Sequence, residues 1–196
     1  MINSCKIAEL DKPYRHWKNC DEPGKTCYVT STCLDFAHLL QRPEMRKQMA
    51  LHILEASDHH NAKLHSFTVM THHVHFLLTP NQNQTISQFM MSFKSHTSKE
   101  MAPLLNNFEK SQLSQQIGLN HRSFWKRGFR GLPIDTEQVF WQKVNYIHQN
   151  AVRSGYVKEA EDYAWGSGHL YLAGLCDEST GLRLKESIEL FRDIEL

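Results

Sequence analysis

In the segment Met70-Thr71-His72-His73-Val74-His75-Phe76-Leu77-Leu78, two histidines stand two residues apart among apolar neighbours. On a strand, His73 and His75 point to one face, while Val74 and Phe76 point to the other and can enter a core. Two imidazoles on one face come within reach of a single metal ion. A bare His-x-His matches often by accident, and partly exposed sheet histidines are the ordinary alternative in a chain with 13 of them. A second pattern lies in Tyr146-Ile147-His148-Gln149-Asn150-Ala151-Val152-Arg153-Ser154-Gly155. At about 100° per residue, Phe140, Val144, Ile147 and Ala151 form the apolar stripe of a helix. Tyr146 and Asn150 then fall one above the other on its flank, beside Lys143 and Arg153. A phenol and an amide are thus presented together on a positively charged face, although a boundary tyrosine with its hydroxyl in water is common.

These side chains need elements to hold them. Residues 27–33, Cys-Tyr-Val-Thr-Ser-Thr-Cys, read as a strand. After Pro43, a favoured first helical residue, Met45, Met49, Ile53 and Ala56 predict a helix to about residue 60. Residues 64–70 and 73–79 read as two strands, with Pro80 as a stop. Thr85 and Gln88 form a capping-box pattern ahead of Ile86, Phe89, Met90, Phe93 and Thr97, so a second helix runs to about residue 102. A polar, mobile stretch is expected over 106–121, a strand weakened by Gly128, Gly131 and Pro133 within 124–134, and a third helix over 136–153. The order β-α-β-β-α-β followed by a helix predicts an α+β, ferredoxin-like fold, an antiparallel sheet with helices on one face and the other free for a ligand.

Composition narrows the function classes. The 196 residues, 40% apolar, 10% aromatic and 22% charged, describe a globular chain rather than a disordered, collagenous or disulfide-rich one. No run approaches the roughly 18 apolar residues of a membrane span, and Met1-Ile2-Asn3-Ser4-Cys5-Lys6 lacks a signal peptide's apolar core, so a cytoplasmic location is expected. Cys5, Cys20, Cys27, Cys33 and Cys176 are odd in number, lack a paired C-x-x-C spacing and are read as reduced. Residues 1–157 carry 18 Lys and Arg against 12 Asp and Glu, whereas 158–196 carry 4 against 9. A basic body followed by an acidic tail suits a polyphosphate partner without requiring one. In the tail, Leu184, Ile188 and Phe191 have near-helical spacing, for a helix docked on the body or one covering a ligand groove.

His73-Val74-His75 followed by Phe76-Leu77-Leu78, with Tyr146-Ile147-His148, Asn150 and Val152-Arg153-Ser154-Gly155, resembles the single-tyrosine HUH transposases, especially the branch associated with repetitive extragenic palindromes (REP). Tyr28-Val29-Thr30, Phe93-Lys94-Ser95, Phe124-Trp125-Lys126-Arg127-Gly128-Phe129 and Tyr163-Ala164-Trp165-Gly166-Ser167 extend the likeness, in order, over residues 26–170. The resemblance divides the chain into an N-terminal extension (1–25), a catalytic domain (26–157) and an acidic tail (158–196). It implies a ferredoxin-like domain that cuts and rejoins single-stranded DNA, at hairpins of such palindromes or at element ends. Tyr146 would be the nucleophile, forming a 5′-phosphotyrosine. His73, His75 and Asn150 would hold Mg2+ or Mn2+, the latter better suited to mixed imidazole and oxygen ligands. Retention of the phosphodiester in the intermediate removes the need for a nucleotide cofactor, in agreement with the lack of a G-x-x-x-x-G-K-[ST] motif.

DNA binding calls for cations and stacking surfaces. Arg122, Lys126, Arg127 and Arg130, interleaved with Phe124, Trp125 and Phe129, are candidates, joined by Lys94 and Arg153; the bland alternative is a core of aromatics with a solvated charged rim. Two departures stand out: the family usually reads Met-Pro-Asn where this chain has Met70-Thr71-His72, and Asn-Pro-Val where it has Asn150-Ala151-Val152. A histidine-triad phosphohydrolase would want a third alternating histidine where Leu77 stands. The competing class is a noncatalytic DNA-binding descendant of the transposases. The resemblance is compatible with a monomer or a homodimer.

Overall fold

A computed structural model describes residues 19, 21–113, 124–177 and 181–193. Arg122, most of the N-terminal extension and the second half of the polar stretch expected to be mobile lie outside the described residues. Strand β1 (Cys27–Thr32) leads to helix α1 (Pro43–His59), which starts on the proline, and then to the hairpin of β2 (Lys63–Val69) and β3 (His73–Thr79). Helix α2 (Ile86–Met101) begins with the expected capping box: Gln88 N–H donates to Thr85 Oγ1 at 3.2 Å, and Thr85 N–H to Gln88 Oε1 at 2.9 Å. A short α3 (Asn107–Ser111) forms within the polar stretch, capped in the same way by Asn106 and Glu109. Strand β4 (Arg130–Pro133) is shorter than its candidate segment, and α4 (Glu137–Arg153) follows, capped by Thr136. At the far end of α4, Gly155 takes a φ of 73°, a turn that favours glycine.

The sheet order is β2-β3-β1-β4 with every neighbouring pair antiparallel, the ferredoxin-like arrangement expected from the element order. Val29, Phe67, Val74, Phe76 and Leu78 enter one core with Met49 and Ile53 of α1 and Phe89 and Phe93 of α2. On the opposite face, Tyr28 and Leu77 pack with Ile134 and with Val144 and Ile147 of α4. The sheet is therefore covered on both sides, and the face expected to be free is occupied in part by the tyrosine-bearing helix. The cause is the apolar stripe of α4, which needs burial that Tyr28 and Leu77 supply.

The tail is not separate from the body. Trp165, Gly166 and Ser167 run along the outer edge of β2: Val69 N–H donates to the Trp165 carbonyl (2.8 Å), Ser167 N–H to the Phe67 carbonyl (2.9 Å), and Gly166 bridges Thr68. This covers an edge that would otherwise present unpaired backbone groups. Beyond α5 (Gly168–Leu172), β5 (Cys176–Asp177) and β6 (Gly181–Leu182) form a small ribbon, and α6 (Leu184–Asp193) lies on α1. Ile188 and Phe191 are buried, Phe191 sits 5.6 Å from Phe67 between ring centres, and Arg192 pairs with Glu55 at 2.9 Å. Of the two placements open from the sequence, the helix docks on the body, on the α1 side of the sheet. The segment beyond residue 157 supplies Leu170, Leu182, Ile188 and Phe191 to the main core.

Cys33 is a buried free thiol, and no helix among the described residues is long and apolar enough to cross a membrane. Phe191→Ala should cost about 3 to 5 kcal/mol of stability in urea unfolding, as for a fully buried aromatic. A loss below about 1 kcal/mol would show that α6 is a dispensable appendage.

Candidate active site

The β1–β3 register sets Thr32 opposite His73, Thr30 opposite His75 and Tyr28 opposite Leu77, so these six side chains share the face turned toward α4. His75 is only 5% exposed. Its Nδ1 lies 2.8 Å from the Tyr28 hydroxyl and 2.9 Å from Thr30 Oγ1, and its ring stacks on Tyr28 with 5.4 Å between centres. His73 Nδ1 is engaged by His72 Nε2 at 3.1 Å. The His73 and His75 ring centres are 4.6 Å apart. Both rings thus engage a neighbour through Nδ1, the pattern by which supporting hydrogen bonds orient a metal-binding imidazole. Burial pushes His73 down to about 4 and His75 to about 3, with the neighbouring histidines acting in the same direction. Both are neutral at neutral pH, as metal ligation demands.

Helix α4 brings the phenol. The Tyr146 ring meets His75 edge-on at 5.8 Å and Tyr28 at 5.9 Å. Two cations flank it: Arg153 Cζ stands 5.1 Å from the Tyr146 ring centre, and Lys143 Nζ 5.5 Å from it and 4.9 Å from that of Tyr28. One turn further on, the Asn150 amide nitrogen donates to the Tyr146 carbonyl at 2.9 Å, which leaves Oδ1 as its acceptor atom. Desolvation raises the Tyr28 phenol well above its usual range, so Tyr28 stays protonated beside His75. Among the described residues no group of three or more His, Cys, Asp or Glu forms a metal cage. The candidate donors are the neutral imidazoles of His73 and His75 and, on α4, Asn150 Oδ1, a mix of imidazole and oxygen that suits Mn2+ better than Mg2+.

The rotation of α4 is fixed from both flanks. Val144 and Ile147 bury against the sheet, while His148 Nε2 meets Ser167 Oγ at 2.8 Å, and that oxygen also accepts the Phe67 N–H at 2.9 Å. The tail therefore helps to aim Tyr146. Tyr171 of α5 packs edge-on against His148 at 4.8 Å and donates to the His65 carbonyl at 2.7 Å.

The cationic candidates separate. Arg130 lies on β4 opposite Thr30, on the side of the histidines, where its charge acts on Tyr28. Lys126 and Arg127 are exposed on the preceding loop, and Lys126 Nζ is 4.4 Å from the ring centre of Phe36, itself 58% exposed. Lys94 is committed elsewhere: its Nζ donates to the carbonyls of Lys126 and Gly128, and burial pushes it down to about 8. It ties this loop to α2 rather than facing outward. Phe124 and Trp125 belong to the core, where Trp125 Nε1 donates to Thr97 Oγ1 at 2.8 Å, so these two aromatics are not stacking surfaces. Sequence reasoning missed Tyr28 and Thr30 as partners of His75, since only the strand register reveals them. It also missed the Ser167 contact to α4, which links positions 19 residues apart.

Lys94→Ala should lower stability by about 2 kcal/mol in urea unfolding, through loss of charged hydrogen bonds; unchanged stability would show that the loop does not rely on Nζ. His65 and His148 are each held down to about 4 by burial, against about 6.5 when unfolded. Their contribution is complete above about pH 6.5 and falls as the pH drops toward 4, by up to about 1.4 kcal/mol per unit for each ring. Melting temperatures recorded between pH 7.5 and 4.5 should decline steadily below about pH 6.5; a flat profile would contradict the burial of these imidazoles.

A REP-associated tyrosine transposase solved with a REP hairpin bound has the same fold, with a TM-score of 0.58 and 20% identity over 86% of this chain and 97% of its own. A transposase candidate from Deinococcus radiodurans R1 aligns at 14% identity over 71% of this chain and 97% of its own, with a TM-score of 0.47. Comparison with curated proteins gives no match. The sequence model of the IS200-like transposases matches residues 34–150, a span that runs from the end of β1 to Asn150 and takes in His73, His75 and Tyr146, so the chain belongs to the IS200-like transposase family.

Proposed function

We propose that this protein is a metal-dependent single-stranded DNA endonuclease and strand transferase of the REP-associated branch, working through a 5′-phosphotyrosine on Tyr146. The observation that carries the reading is the meeting of the Tyr146 ring with His75, 5.8 Å away, between Lys143 and Arg153 within one chain. A DNA hairpin as partner is supported by the hairpin bound to the structural neighbour.

The Tyr146 oxygen attacks the scissile phosphorus; the P–O3′ bond breaks and the 5′ phosphate stays on the tyrosine. The phenol proton passes to solvent, and the departing 3′ oxygen gains one. Attack of a 3′ hydroxyl on the phosphotyrosine reverses the step and rejoins a strand. Lys143 and Arg153 offset the phosphodiester charge that would repel the nucleophile. Neutral His73 and His75 offer Nε2, and Asn150 offers Oδ1, to a divalent cation, Mg2+ or Mn2+, which when bound supplies Lewis-acid charge to the phosphate oxygens. Tyr28 and Thr30 hold the His75 ring so that Nε2 points away from the sheet hydroxyls. Arg130, Lys126 and Arg127 extend the positive surface for the strand; Arg122 is a candidate outside the described residues.

Incubation with labelled single-stranded hairpins and Mn2+ should give a covalent adduct on a denaturing gel. Tyr146→Phe and His73→Ala should each reduce it by about a thousandfold or more, whereas His73→Ala should bind the hairpin within about threefold of wild type, because most affinity comes from phosphate contacts. Binding without any adduct would favour a noncatalytic descendant, and a metal-dependent product without adduct would assign hydrolysis and reject the tyrosine.

A further inference from the structure

His72 stands where this chain departs from the asparagine usual before the first histidine of the pair. Successive residues of a strand point to opposite faces, so His72 and His73 would be separated if β3 began one residue earlier. Residues 71 and 72 instead form a bend between β2 and β3. The bend is held at three successive carbonyls: Leu40 N–H donates to that of Thr71 at 2.9 Å, Cys33 N–H to that of His72 at 2.8 Å and Met70 N–H to that of His73 at 2.8 Å. The His72 ring thereby meets His73, with 4.4 Å between ring centres and 3.1 Å from His72 Nε2 to His73 Nδ1. A third imidazole, His38, packs on His72 with 5.0 Å between centres. It is itself tethered, Nδ1 lying 2.7 Å from Thr71 Oγ1 and the backbone N–H donating to Gln112 Oε1 at 2.9 Å.

Two neutral imidazoles joined nitrogen to nitrogen hold one proton between them, so their tautomers are linked. His73 has a lone pair at Nε2 only when its Nδ1 carries the proton, and His72 Nε2 must then be the acceptor. His72 is free to take that form. Its own Nδ1 is buried without a hydrogen-bond partner, so no competing bond fixes His72 as the donor. Had a neighbouring N–H donated to Nδ1, the proton of His72 would sit on Nε2 and His73 would be left in the tautomer that cannot ligate through its own Nε2. Reach is equally specific: a glutamine places its amide near the position of Nε2, whereas an asparagine ends one bond sooner.

We propose that His72 is a positioning residue for the divalent cation: it accepts the hydrogen bond from His73 Nδ1, fixes His73 in the tautomer that ligates, and strengthens metal binding without touching the metal. The inference rests on the reading of His73 and His75 as metal ligands. Partners of this kind contribute about 10- to 100-fold to metal affinity.

The test titrates Mn2+ into the metal-free protein at about pH 7.5, where imidazoles are mostly neutral, and reads the free ion by its electron paramagnetic resonance signal. Wild type, His73→Ala, His72→Phe and His72→Gln are compared; phenylalanine keeps a ring without an acceptor, and glutamine keeps an acceptor without a ring. Wild type should bind Mn2+ and His73→Ala should lose it, while His72→Phe should weaken binding by about tenfold or more and His72→Gln should stay within about threefold of wild type. Both His72 variants should bind a DNA hairpin in EDTA within about twofold of wild type, as phosphate contacts dominate that affinity. Unchanged Mn2+ affinity in His72→Phe, or equal losses in the two His72 variants, would overturn the positioning role while leaving the metal site in place. A wild type that binds no Mn2+, or a His73→Ala variant that binds it as well as wild type, would instead reject the metal reading, and the role of His72 with it.

Discussion

Everything at this site depends on the antiparallel pairing of β1 with β3. Placing Thr30 against His75 and Tyr28 against Leu77 gives His75 two hydroxyls at Nδ1, which set the orientation of the ring. A slip of one residue would turn His73 and His75 into the core and send Val74 and Phe76 toward α4. The register is held by the other face, where Val29, Val74, Phe76 and Leu78 are almost wholly buried against α1 and α2. The polar site is thus specified by an apolar core on the reverse side of the same strands.

The second requirement is that α4 lie on the sheet with Tyr146 turned to His75. Val144, Ile147 and Ala151 bind it by burial, which fixes which face points down but is not directional along the helix. The His148–Ser167 contact adds direction, because a hydrogen bond of 2.8 Å tolerates little sliding. Ser167 is itself set by its bonds to Phe67 on β2, so the tail beyond α4 reaches the nucleophile through the sheet edge. The acidic composition of that tail concealed this role, since the contacts that matter are made by Ser167, Tyr171, Ile188 and Phe191.

Electrostatics at the site follow from placement rather than from net charge. The whole chain has a formal charge of +1, yet Lys143, Arg153 and Arg130 gather around two phenols and two neutral imidazoles. Burial keeps the imidazoles uncharged, so the flanking cations face no like charge from the rings they surround. Lys94 shows the converse: a lysine in a basic, aromatic-rich region whose head group closes a loop instead of meeting a ligand.

Local signals made much of this legible. Alternation in 73–79, the Thr85–Gln88 box, Pro43 and the stripe through Phe140, Val144, Ile147 and Ala151 are short-range patterns, and the elements they predict form with boundaries within a residue or two. His73 and His75 on one face, and Tyr146 one turn from Asn150, follow from the periods of strand and helix alone. The sequence by itself therefore determined the element order, the fold class and which side chains share a face. Only the tertiary structure decided that α4 covers the second face of the sheet, that Phe124 and Trp125 are core, that α6 docks on α1, and that Tyr28, Thr30 and Ser167 orient the reactive groups. The division has a physical cause: periodicity is set by bonds between near neighbours, whereas register, helix docking and burial depend on contacts between residues far apart in the chain, for which a single sequence carries no direct signal.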